Sequence, residues 1–141
     1  MINNNFDIVL DKFQKALMGS GQKSNSNLIM KDLISKIIIK NDDPQDILTK
    51  SVENIKPLFV VSTQKKGKRV LQTPKPILKD EERIAISTNW IVKNAMKHSK
   101  GSFVENLLQE VYDSSQNQGF SKKQQQDLNK LVVINRAALQ R

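Results

Sequence analysis

A chain of 141 residues with no cysteine, one histidine and a formal net charge of +9 has the length of one domain, enough to close a core without metal or disulfides. That composition excludes a thiol nucleophile, a redox pair, a cysteine-based metal site and a histidine cluster, and no apolar run approaches the roughly 20 residues that span a bilayer. The charge is unevenly placed: residues 61–101 hold ten Lys and Arg against three acids, net +7, while the segments on either side are each net +1.

The N-terminal stretch carries Asp7 and Asp11 without arginine, which reads as the start of a folded helix rather than a removable targeting peptide. Phe6, Leu10, Phe13 and Leu17 follow helical spacing, and the "GSGQ" at Gly19 to Gln22 stops that helix. Residues 27–40 predict a second helix on length and on the lack of alternation, although Ile37, Ile38 and Ile39 are β-branched. In the third, Asp43 caps, Pro44 suits the first position, and Ile47, Leu48, Ser51, Val52 and Ile55 line one face. Pro57 prevents its continuation.

The pattern then changes. "LFVVST" and "RVLQT" read as two strands around a turn at Gly67, with Pro74 and Pro76 expected to end the pairing, giving a β-hairpin over about 58–74. Arms of about six residues reach roughly 20 Å, which puts Lys65, Lys66, Lys68 and Arg69 at or near the tip. A fourth helix begins near Asp80, with Ile84, Ile91 and Ala95 on one side. Arg83, Trp90, Lys93 and Lys97 fall close to one basic stripe on its other turns. Trp90 suits core packing or a stacking contact equally. Ser102 with Glu105, and Ser121 with Gln124, are capping-box pairs that predict the starts of helices five and six. Helix five buries Val104, Leu107, Leu108 and Val111 and ends near the "NQG" at Asn117 to Gly119. Helix six turns Leu128, Leu131 and Val132 inward. The fold class is therefore mainly α: one domain over residues 1–141, about six helices with one protruding two-stranded hairpin.

Clustered positive charge favours a polyanionic partner, because each phosphate neutralised releases condensed counterions. Catalytic chemistry has no comparable support. Asp80, Glu81 and Glu82 are consecutive and fan around a helix start, where acids serve the dipole. His98 lies near a helix end with no serine or acid at triad spacing, and "GSGQKS" lacks the context of a phosphate loop. Neither an enzyme, a cofactor nor a small-molecule substrate is expected.

The strings "SVENIKPLFVV", "KKGKRVLQTPKPI", "ERIAISTNWIVKNA" and "INRAALQR", in that order, resemble the universal small-subunit ribosomal protein seven family from about Phe6 to the end. Its most specific piece is Val52-Glu53-Asn54-Ile55-Lys56-Pro57. The resemblance implies a structural constituent of the small ribosomal subunit that binds the 3′ major domain of small-subunit rRNA and nucleates head assembly. It further implies neighbouring head and platform proteins as partners, and a hairpin reaching toward exit-site tRNA and the mRNA path. Matched by position, the implied RNA contacts are Lys65, Lys66, Lys68, Arg69, Lys75, Arg83, Lys97, His98, Lys123 and Arg136. Lys93 joins them from the basic stripe. Trp90 matches a family tryptophan that packs.

Against the family pattern, in which a long Arg-rich arm precedes the first helix, the sequence starts almost at helix one, carries Asn89 where arginine is common, and stops at Arg141. Arm contacts are accordingly expected to be lost or supplied by another protein, and the family's tail contacts near exit-site tRNA are not carried over. Only four of the 23 basic residues are Arg, and 13 Asn and 14 Ile accompany them, a composition that fits an AT-rich genome. A mitochondrial, organelle-encoded version is expected, with a plastid or bacterial cytoplasm as alternatives. The competing reading from another class is a free-standing helical nucleic-acid-binding adaptor, which would carry its own recognition helix.

Overall fold

A computed structural model of the protein describes residues 4–19, 25–67, 69–77, 79–99 and 101–139. The first three helices follow from spacing and caps. In α1 (Asn4–Gly19), Val9, Phe13, Ala16 and Leu17 enter the core, while Phe6 and Leu10 pack at its edge. α2 (Ser26–Ile39) stays helical through its β-branched end because Ile37 is completely buried, and Asn41, at φ 64°, turns the chain out after it. Asparagine tolerates that left-handed conformation better than most residues. α3 (Pro44–Ile55) is capped by Asp43, whose carboxylate accepts from the Gln45 amide at 3.1 Å. Leu48, Val52 and Ile55 are fully buried along its inner face, each worth roughly 1.5–3 kcal/mol over the exposed side chain.

β1 (Phe59–Lys66) and β2 (Arg69–Pro76) form an antiparallel ribbon, with Lys66 opposite Arg69 and Phe59 opposite Pro76. Gly67, at φ 63°, supplies the turn, where a side chain would be strained. The hairpin is longer than expected. Pro74 and Pro76 do not end the pairing but lie within it, opposite Val61 and Phe59. A two-stranded ribbon has two outer edges, and residues two apart turn their nitrogens to the same edge, so both prolines fit without removing a ladder bond.

α4 (Asp80–Ala95), α5 (Phe103–Ser115) and α6 (Gly119–Leu139) complete the chain. α1 packs chiefly on α4, and α3 on α5; α5 is central and also touches α2, α4 and α6. One hydrophobic cluster draws on α1 through α5. The ribbon meets the helices differently, because among the described elements only α6 packs against its two strands. It therefore projects from the body.

The start of α5 follows the capping pattern, with Ser102 Oγ accepting from the Glu105 amide at 3.3 Å. The start of α6 does not. Ser121 lies inside the helix and is completely buried. Its amide donates to Glu110 Oε1 of α5 at 2.9 Å, and its hydroxyl accepts from Asn94 of α4 at 3.0 Å. Gln124 likewise turns to Asn94, at 3.0 Å. A carboxylate from a neighbouring helix has replaced the local cap, satisfying an orphan amide and meeting the positive end of α6.

Candidate nucleic-acid interface

The candidate interface follows from where the hairpin, the end of α4 and the start of α6 place their cations. Lys65 and Lys66 are the last residues of β1 and Arg69 opens β2; Lys68 lies outside the described residues. The positive charge is thus carried at the far end of a ribbon whose eight-residue arms extend roughly 26 Å. Lys75 is exposed near the ribbon's base, opposite Val60.

On the body, Lys93 is exposed on the last turn of α4, and Lys97 is exposed in the turn that follows. Lys123 is exposed on α6 and shares a cleft with Lys97. Arg136 falls within α6 near its end. Lys75, Lys93, Lys97 and Lys123 have no carboxylate within ion-pair distance among the described residues. Lys15 and Lys50, by contrast, are paired with Asp11 and Asp46 on the same helices. Unpaired exposed ammonium groups are free to meet phosphates, which position an RNA while its shape is read.

Two of the expected contacts have structural partners. Arg83 donates from Nε to the Pro57 carbonyl at 2.9 Å and lies 3.6 Å from Asp80, tying the start of α4 to the base of the hairpin. His98 Nε2 lies 2.7 Å from Glu110 Oε2, with its side chain 13% exposed. Trp90 is partly buried against the core, as the matching tryptophan implies.

The most specific sequence string also has structural duties. Asn54 Nδ2 donates to the carbonyls of Ser114 and Ser115, both at 3.0 Å, closing the C-terminal turn of α5. Lys122 and Gln125 of α6 donate in turn to the Asn54 and Lys56 carbonyls, at 3.2 and 3.1 Å. Lys56 is buried, with its ammonium 2.7 Å from Asp80 and 2.9 Å from Glu53. This string therefore ties α3 to α4, α5 and α6 beneath the hairpin. The acids at 80–82 occupy the first turn of α4, and Asp80 is further used by Lys56 and Arg83.

Sequence reasoning missed Glu110 and Phe120. Glu110 is completely buried, and nothing in the local sequence announces that it will cap another helix. Phe120 is 40% exposed at the start of α6; its ring lies 5.0 Å from the His98 ring and 5.6 Å from the Lys97 ammonium. The available signal was an aromatic three residues before Lys123. His98, Glu110 and Asp113 also bring ligand-type atoms within 4.8 Å of one another. Both Glu110 oxygens are already committed, and Gln109 donates to Asp113 at 2.9 Å, so the group reads as a hydrogen-bonded junction.

Residues 2–136 match the family model described as ribosomal protein S7p/S5e. The chain is 31% identical to small ribosomal subunit protein uS7 of Nitrosococcus oceani over 131 residues, 92% of this chain and 83% of that one. The corresponding protein of Geotalea uraniireducens is 31% identical over 132 residues, covering 93% and 84%, and that of Cellvibrio japonicus is 30% identical with the same coverage.

Proposed function

The chain belongs to the ribosomal protein S7p/S5e family, and from that premise we propose how it serves the small ribosomal subunit. It is a structural, non-enzymatic constituent of that subunit and binds small-subunit rRNA. The observation that carries this reading is the match over residues 2–136 in a chain whose charge is concentrated in residues 61–101. Its target is the 3′ major domain, where binding of the helical body nucleates head assembly. The ribbon is the charged finger of the complex, directed toward exit-site tRNA and the mRNA path. Lys65, Lys66, Lys68 and Arg69 serve that finger, and Lys75, Lys93, Lys97, Lys123 and Arg136 serve the body contacts. Arg83 and His98 act on RNA through the surface they brace. Neighbouring head and platform proteins complete its surroundings.

The relatives named above are bacterial, which supports a ribosome of bacterial type. The lysine-for-arginine bias and the abundance of asparagine and isoleucine support a mitochondrial ribosome within that class.

Sucrose-gradient sedimentation of a native extract, with the protein tagged and the gradient run at moderate and then high salt, tests the role. Co-migration with the small subunit that resists high salt is expected. Recovery at the top of the gradient would overturn it in favour of a free-standing adaptor.

A further inference from the structure

The cleft between the end of α4 and the start of α6 has a composition that phosphate binding alone does not explain. It encloses about 410 Å³ and is lined by Lys97, Phe120, Lys123, Gln124 and Asp127. A site for phosphate alone would have no use for an exposed phenyl ring and would be weakened by a carboxylate. An unpaired nucleotide needs an aromatic face, a cation for its phosphate and an acceptor for the N–H groups of its base.

We infer that Phe120 is a stacking platform for one unpaired nucleotide of the small-subunit rRNA. The inference rests on the rRNA-binding reading above and adds to it a base contact among residues otherwise assigned to phosphates. The ring is braced on one side by His98, tilted at 58° with centroids 5.0 Å apart. His98 is itself held by Glu110 at 2.7 Å, so the platform is fixed before any ligand arrives. Lys97 lies over the ring at 5.6 Å on a flexible, exposed side chain with no carboxylate partner among the described residues. It can move from the ring to the nucleotide's phosphate as the base takes its place. Lys123 flanks the same cleft, and Asp127 offers its carboxylate to exocyclic or imino N–H groups on the base edge.

Stacking and phosphate contacts respond differently to salt, which separates them experimentally. Wild type, Phe120→Leu, Phe120→Trp and Lys97→Gln are titrated against a transcript of the 3′ major domain over a range of KCl concentrations. Intact small subunits are irradiated at 254 nm, and nucleotide adducts are located by mass spectrometry. Leucine at 120 is expected to weaken binding ~5- to 100-fold at every salt concentration without changing the salt slope, and tryptophan to restore it. Lys97→Gln should instead lower the slope by somewhat less than one. A nucleotide adduct is expected on the Phe120 peptide. Wild-type affinity in Phe120→Leu, or an adduct-free Phe120 in intact subunits, would overturn the stacking site and assign the ring to a protein neighbour or to Lys97 alone, leaving rRNA binding untouched. Failure of the wild type to bind the transcript would overturn the premise and the site together.

Discussion

Glu110 Oε2 lies 2.7 Å from His98 Nε2, and the same carboxylate holds the Ser121 amide at 2.9 Å through Oε1. One fully buried side chain thus joins the turn after α4 to the first turn of α6. Glu110→Ala would strand both partners in the interior, where an unmet donor costs far more than a hydrogen bond contributes when made. The expected loss is about 3 kcal/mol in urea unfolding. Glu110→Gln should cost less, because its carbonyl can still cap Ser121 while its amide faces the histidine. Equal stability of the alanine variant and wild type would contradict the cross-helix cap.

The same junction fixes Gly119. Its φ is 92°, and a Cβ there would sit 2.8 Å from the Asp113 Cβ and 3.3 Å from Glu110 Oε1. Backbone strain and the clash combine, so Gly119→Ala should destabilise by about 2–3 kcal/mol. Gly67→Ala meets nothing within 4 Å and carries only the strain of its positive φ. Thermal unfolding of the two variants should rank them in that order.

How far the fold was legible depended on whether the signal was local. Asp43 with Pro44, and Ser102 three residues before Glu105, set their helix starts by contacts within a few residues, and both starts are where the sequence places them. Ser121 with Gln124 presents the same pattern, but a buried carboxylate eleven residues away outcompetes it for the amide. The prolines of β2 misled for a related reason: proline ends a strand in a sheet interior, and an isolated ribbon has no interior strand. Among the expected site residues, the unpaired lysines stand exposed because charge alone predicts exposure. His98 and Arg83 acquired partners that only the packing of α4 against α5 and the hairpin base could supply.

Lys56 offers a test of the reading that its string is architectural. Its side chain is 8% exposed and its ammonium meets both Asp80 and Glu53, which are about half exposed. Lys56→Met keeps the aliphatic stem and removes the charge, leaving two carboxylates that water can still reach. A loss of about 1–2 kcal/mol is expected, with the salt slope of rRNA binding unchanged. A lowered slope at full stability would make Lys56 a phosphate contact instead.

The single tyrosine provides a clean optical probe of the α5 packing. Tyr112 donates to Asp42 Oδ2 at 2.7 Å; burial first, then that hydrogen bond and the carboxylate's charge, push its phenol up to about 12. Only the neutral phenol donates, so its contribution to stability is complete below the unfolded value near 10 and is lost as pH rises through the folded value. Absorbance at 295 nm should therefore show phenolate appearing about two pH units later in the folded protein than in urea. Asp42→Asn removes the acceptor's charge and should bring the titration part of the way back. Ionisation near pH 10 in the folded protein would rule out the Asp42 contact in solution.

Charge at the hairpin tip should matter for RNA and not for folding. The ribbon packs on the body through α6 alone among the described elements, and Lys66 and Arg69 pair at its far end. Replacing Lys65, Lys66, Lys68 and Arg69 together by Ser should shift stability by no more than about 0.5 kcal/mol per site. Binding of the 3′ major domain by the variant should remain steeply dependent on salt, because the body cations are intact. A flat response in the wild type would deny phosphate contacts their leading part. A large fall in melting temperature on neutralising the tip would show instead that the ribbon is folded against the body.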